Sequence, residues 1–410
     1  MIDAPTAGAL TVTTQTRFPG GQPQGTPLGN ITVIADRPDG TLADMQVTDA
    51  TTGTATLNAY DGDNVTALYP HMTDAGADLT TFMGVKKGDS LTFGLRFGAS
   101  GPNNLLGSMN LTWPATGNSS YDVFTACNGI GFGNTTSGSI SEYSSCHHEP
   151  MDVVMTAYDS VTGSLMQAGI IPAVAFVSGG SAALTTWHPT TTTKSLSFTG
   201  LPSEVTSINT LIYELVNERI YFSNSFSGAP SNGQYTSPTF VWPGQGTREW
   251  IRAQLSRPGP WYSMAIFDGV DPTTDPYSLA APELPPWMTS NAVVSGPAQM
   301  AAWFPIGNGP QKGTVLRVTW THSNGTTSAP YSWTFILPPG VTALNFPKLP
   351  DAIAMNAPHP EDFVGIQFVR AFDIPELASY DDVRKLPEST IVALDQAVEF
   401  GLLKRVIMNL

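Results

Sequence analysis

Short stretches of apolar residues, interrupted every few positions by turn formers, pattern this chain from end to end. Residues 31–35 (Ile-Thr-Val-Ile-Ala) form a β-branched run closed by Arg37-Pro38-Asp39-Gly40, whose Pro and Gly favour a reverse turn. Runs at 45–48, 54–57, 64–69 and 91–96 follow, with a further candidate at 79–85, and their spacing is that of a small β-sandwich. A second series occupies 108–113, 121–126, 152–158, 170–177 and 195–199. Residues 152–158 are almost continuously apolar around Thr156, which suits a strand buried on both faces. Farther on, 314–320 and 331–337 flank a turn holding Asn324-Gly325 and read as a hairpin. Its Leu316, Val318 and Trp320 share one face, expected to point inward, while Val315, Arg317 and Thr319 take the other. Residues 208–222 fit either a strand pair or a short helix.

These runs divide the chain into an irregular arm (1–29, with at most one strand near 9–14), a first sandwich (30–100), a second (101–200), a Trp-rich β domain (201–350) and a C-terminal extension (351–410). In the extension, Pro387-Glu388-Ser389-Thr390 followed by Ile391, Leu394 and Val398 marks a helix start with an apolar stripe. Gly401 interrupts it, and the apolar ending 402–410 should be docked or paired. The expected fold class is all-β: tandem β-sandwich domains with a short C-terminal helix.

Composition narrows the function classes. Only 12% of the 410 residues are charged, about half the ~25% usual for soluble domains, and the net charge is -15. Between Arg96 and Arg219 the sole basic residue is Lys194, so the clustered cations that grip phosphates are missing and nucleic acid is not an expected partner. No apolar run reaches the eighteen residues that suggest a membrane-crossing helix. The first thirty residues carry no basic-then-apolar signal, and a mature form that has lost a signal or lipid anchor is the favoured reading. Low lysine content, Thr/Ser/Asn-rich strands and a single cysteine pair favour an extracellular, periplasmic or cell-surface location.

The Pro-Asp-Gly turn followed by Thr48-Asp49-Ala50-Thr51-Thr52-Gly53-Thr54-Ala55 resembles a run in the transthyretin-like, carboxypeptidase-regulatory-like domains of secreted bacterial proteins. The resemblance covers 30–98, and one extra Thr separates Ala50 from Gly53. It implies a structural or adhesive accessory without catalytic residues of its own. Residues 302–350, with paired Trp-bearing strands and a closing Pro347-Lys348-Leu349-Pro350, are similar to the C-terminal part of uncharacterised secreted proteins and lipoproteins of predatory soil bacteria. That similarity implies a fold and an export route, but no activity.

Several residues are candidates for chemistry or binding. Cys127 and Cys146 bracket a loop of turn-forming and hydroxyl residues, and a disulfide there would remove roughly 3 kcal/mol of unfolded-state entropy; the competing reading is two buried free thiols. His147 and Glu149 would point the same way in a strand and could ligate zinc, given a further ligand from elsewhere. Otherwise they belong to a polar loop beside the bridge. Asp268, Asp271 and Asp275 share a loop that could wrap calcium, although Asp commonly just begins turns. Asp61-Gly62-Asp63-Asn64 starts like a calcium loop, but Val65 and Met72 break the EF-hand pattern. Beyond calcium or zinc, no cofactor is expected. G-x-S-x-G, H-E-x-x-H and the phosphate-binding P-loop are missing from the chain. Seven tryptophans fall within 201–350; Trp250 and Trp261, near Arg248, Arg252 and Arg257, are the ones expected to face a ligand. The leading expectation is a non-catalytic exported binding or structural module with a protein or carbohydrate ligand. One alternative is a hydrolase acting on polysaccharide or peptide through loop carboxylates of the third domain. The other is a subunit of a surface assembly, which an unpaired terminal strand would favour.

Overall fold

The structure is a computed structural model describing all residues except 1–5, 18–24, 72–75, 97–103, 118, 126, 145–146, 148, 191, 217–218, 245, 259–262, 272–276, 281–283, 295–299, 324–327 and 400. Strand makes up 56% and helix 6%, so the chain is all-β. The central element is a twelve-stranded sheet. In spatial order its strands are Arg219–Gly228, Ser207–Val216, Arg248–Ser256, Met264–Val270, Arg405–Asn409, Gly365–Asp373, Gly313–Ser323, Ser328–Leu337, Ala77–Phe82, Asn64–Pro70, Thr32–Asp36 and Leu42–Val47. Residues 208–222 are therefore a strand pair and not a helix.

This sheet ties together segments whose hydrophobic patterns read as separate layers. Ala77–Phe82 pairs in parallel with Ser328–Leu337 over the register Tyr331↔Ala77 to Ile336↔Phe82. The join is buried: Trp333 is 0% exposed, and its indole Nε1 donates to Thr81 Oγ1 at 2.8 Å. The hairpin behaves as its alternation predicts, since Leu316, Val318 and Trp320 enter one core with Trp333, Phe335 and Phe346. Val315 and Ile336 face the opposite core, so these strands are covered on both sides.

That opposite core is closed by a three-stranded sheet of Gly8–Arg17, Thr54–Ala59 and Ser90–Arg96 and by the C-terminal helices. The one strand expected in the N-terminal arm is thus present, over Gly8–Arg17. Leu10 and Val12 are fully buried, while Thr14 N donates to Gly53 O at 2.8 Å. Gly53 is required there, with φ at +64° and a Cβ that would lie 2.4 Å from Thr14 O. Helix Glu388–Val392 begins right after Pro387, as expected, and is followed by Leu394–Glu399; Ile391, Leu394 and Val398 are buried. The apolar ending is paired within the chain: Arg405–Asn409 lies between Met264–Val270 and Gly365–Asp373, with Val406, Ile407 and Met408 buried. Among the described residues both terminal strands, Gly8–Arg17 and Arg405–Asn409, are paired within the chain.

Residues 105–189 make two further sheets, one built around Ser119–Phe124, Met151–Asp159 and Leu165–Val174, the other of Ser137–Tyr143, Leu105–Thr112 and Ser181–Ala183. They enclose a core that includes Met109, Leu111, Trp113, Tyr121 and Met155. Strand Met151–Asp159 is buried on both faces, Val153 toward that core and Val154 toward the neighbouring one.

Candidate functional site

The expected ligand-facing and metal residues fall mostly into structural roles. Trp250 is 7% exposed and stacks on Tyr213 (centroids 4.6 Å apart) and Phe267 (5.9 Å), so it is a core residue and not a ligand platform. The flanking arginines are tethered and do not mark solvent exposure: Arg248 donates to the carbonyls of Val398 and Glu399, satisfying the end of the last helix, and Arg252 lies over Phe267. Trp261 lies outside the described residues. Asp268 does not belong to an open calcium loop. It is 3% exposed on strand Met264–Val270, accepts from Arg405 Nε (3.1 Å) and Nη2 (2.8 Å), and accepts from the Tyr277 hydroxyl at 2.8 Å. Asp271 is exposed, and Asp275 lies outside the described residues.

His147 and Glu149 do meet, Nε2 to Oε1 at 3.2 Å, and His147 Nδ1 lies 3.6 Å from the fully buried Glu142. Glu149 also accepts from the Phe176 backbone N–H at 2.9 Å, and the His147 ring packs against Phe176 at 5.3 Å. Cys127 Sγ contacts the Tyr143 backbone, 3.4 Å from its carbonyl oxygen; Cys146 and His148 are outside the described residues.

Two carboxyls are pushed up to about 7. Asp36 is raised mainly by burial, and Glu249 likewise, offset by the ammonium of Lys194. They are eight strands apart in the large sheet and each has its own local partners. Glu249 stands directly opposite Glu214 in the cross-strand register, a spacing that in a cleft would suit glycoside hydrolysis. The pair is 1% and 0% exposed, however. Glu249 accepts from Trp242 Nε1 at 2.8 Å and contacts Lys194 Nζ, while Glu214 accepts from the backbone of Gly244 and Gly246. Acids enclosed in this way cannot reach a polymer substrate.

A cleft of about 520 Å³ opens beside the hairpin Gly313–Ser323/Ser328–Leu337, within the range of small-ligand sites. Trp320 and Tyr331 form its floor, stacked at 5.5 Å and 11°. Phe363 stands at the wall with 88% of its surface exposed, which for a large apolar side chain is costly to leave in water. The polar rim is organised. Arg317 Nη2 donates to Ser332 Oγ at 3.0 Å and lies 3.8 Å from Asp78 Oδ1, Ser332 donates to Asp78, and His71 Nε2 is 3.3 Å from Asp78 Oδ2. Gln367 also lines the cleft. A second cleft of about 470 Å³, around Gly307, Asn308 and Gly309, has no charged lining residue. The first cleft combines His71 and Asp78 with both strands of the hairpin and with residues from 363–367, which is why no local motif announces it.

No protein-family model and no curated protein matches the chain. Among solved structures, it is similar to the Bacillus anthracis TIE protein (8% identity, TM-score 0.16), covering 67% of this chain and 49% of that one. The chain thus spans about half the length of that protein. It is also similar to BcpA, the major pilin subunit of Bacillus cereus (8% identity, TM-score 0.16, 67% and 98% covered). A third likeness is to the fimbrial anchor protein Mfa2 from Porphyromonas gingivalis (8% identity, TM-score 0.14, 61% and 78% covered). At these scores the likenesses carry no argument about function.

Proposed function

We propose that this chain is an exported, non-catalytic binding module and that the cleft at Trp320, Tyr331 and Phe363 takes a polar ring compound of the saccharide class. One observation carries the reading: an exposed aromatic side chain shares a single cleft with a pre-tied Arg–Asp–Ser cluster. Sugars present an apolar C–H face and a ring of hydroxyls. Phe363 supplies a surface for the first, while Arg317, Asp78 and Gln367 supply donors and acceptors for the second. The mutual bonds of Arg317, Ser332 and Asp78 hold these groups before a ligand arrives, which lowers the ordering cost of binding.

Export is supported by the cysteines. The chain has two cysteines, Cys127 and Cys146, and we infer that they form a bridge, as an oxidising compartment would allow. The transthyretin-like character of 30–98 remains part of this reading, as an accessory layer without chemistry of its own. A panel of soluble polysaccharides and oligosaccharides, screened for retention of the full-length protein and of Phe363→Ala, tests the ligand class. At least one glycan should retard the wild type and not the variant. Absence of any glycan that distinguishes them would refute the saccharide assignment.

A further inference from the structure

His322 lies at the end of strand Gly313–Ser323, and His359 and Asp362 lie in the loop after the short 3-10 helix Asp351–Asn356. One donor atom from each of the three falls within 4.8 Å of the others. The hydrogen bonds around His322 make this more than a chance cluster. Its Nε2 is 3.1 Å from the carbonyl oxygen of Met355, an atom that only accepts, so Nε2 must carry the proton. In the neutral ring Nδ1 is then a bare lone pair, and it faces Asp362 Oδ2 at 2.7 Å. That oxygen already accepts from the His359 backbone N–H at 2.6 Å. Two acceptors at such a distance repel unless a positive charge lies between them, either a second ring proton or a metal ion.

Two observations favour the metal. A backbone carbonyl fixing the far nitrogen of an imidazole is the arrangement that orients metal-ligating histidines. The second is His359, whose ring lies 4.2 Å from that of His322 and brings a second imidazole to the same point. A tetrahedral ion with bonds of ~2.1 Å sets its donors about 3.4 Å apart, so to hold it the His322–Asp362 pair at 2.7 Å opens while the wider separations, up to 4.8 Å, close.

We infer that His322, His359 and Asp362 form a site for a divalent transition-metal ion of the zinc class, with Met355 O as the orienting partner. Two imidazoles and one carboxylate suit zinc and leave a fourth position for water or a ligand group. His322 and Asp362 adjoin Thr321 and Phe363, which line the cleft, so a bound ion would also stiffen that wall. The inference stands on the histidine geometry and does not depend on the saccharide reading.

The test uses the full chain after chelator treatment and desalting, titrated with zinc chloride by calorimetry and assayed for bound metal. The wild type should take up one equivalent that His359→Gln and Asp362→Asn bind at least about tenfold more weakly. His147→Gln, at a separate histidine–carboxylate cluster, should bind as the wild type does. His359 is half exposed, so its replacement by Gln leaves the fold intact, and circular dichroism on each variant verifies this. No stoichiometric zinc in the wild type would assign the bridging charge to a proton and overturn the site. Equal affinity in the wild type and both site variants would place the metal elsewhere and overturn it too.

Discussion

Asp36 ends strand Thr32–Asp36 and is 2% exposed, with Asn64 Nδ2 donating to it at 3.0 Å and Asp63 nearby as a like charge. Burial outweighs the hydrogen bond and pushes its carboxyl from 3.8 up to about 7. Below pH 4 the carboxyl is protonated in both folded and unfolded chains and makes no difference to stability. Between pH 4 and 7 the unfolded chain releases the proton while the folded chain keeps it, so stability falls as pH rises across that window. The loss levels off above pH 7 at about 4 kcal/mol, since each tenfold difference in proton affinity between the folded and unfolded chains is worth ~1.4 kcal/mol. Asp36→Asn is neutral at every pH and still offers an oxygen to Asn64. Its denaturation midpoint should match the wild type near pH 4 and exceed it increasingly up to pH 8, with a gain of at most about 4 kcal/mol. Urea titrations of both proteins at pH 4.5, 6 and 8, followed by tryptophan fluorescence, measure this. A gain independent of pH, or a variant less stable than the wild type at pH 8, would refute the linkage argument and reopen a functional role for this acid.

Two further outcomes follow, one from a buried ion pair and one from the cysteines. Lys194→Met strips the cation from Glu249 in a site that is 1% exposed and should destabilise by about 3–5 kcal/mol; Lys194→Met/Glu249→Gln, which keeps an acceptor for Trp242 Nε1, should recover most of that loss, as thermal melting of the single and double variants would reveal. Intact mass spectrometry of native protein, with and without reductant, should register the two hydrogens gained on reducing a Cys127–Cys146 bridge, and the reduced form should lose about 3 kcal/mol of stability.

Local order is legible in the chain, and long-range order is not. Alternation at 314–320 and 331–337 announces the hairpin, and Pro387-Glu388-Ser389-Thr390 announces the helix start, because both signals are set by neighbours within a turn or two. The parallel pairing of Ala77–Phe82 with Ser328–Leu337 leaves no such trace. Each strand reads as apolar, and nothing in either names its partner. Strand Gly8–Arg17 is easily underrated because its arm is punctuated by Pro19, Gly20, Gly21 and Pro23, although Leu10 and Val12 still alternate correctly toward the core. Trp250 misleads for a related reason: neighbouring arginines suggest solvent, but here their guanidinium groups serve helix carbonyls and an aromatic face. The cleft and the His322–His359–Asp362 cluster exist only after folding, since each combines residues far apart in the chain. Spacing rules that recognise short metal or nucleophile motifs cannot reach them.

Contact without chemistry at the Phe363 cleft is tested most directly by one titration. An oligosaccharide that the wild type retains is added to saturation, its affinity is compared for the wild type, Phe363→Ala and Arg317→Ala, and the sugar is then recovered and weighed by mass spectrometry. Saturable binding at a single site, weakened at least about tenfold in both variants, with the sugar returned at unchanged mass, is the predicted result. Binding indifferent to both substitutions, or a sugar returned in fragments, would contradict it.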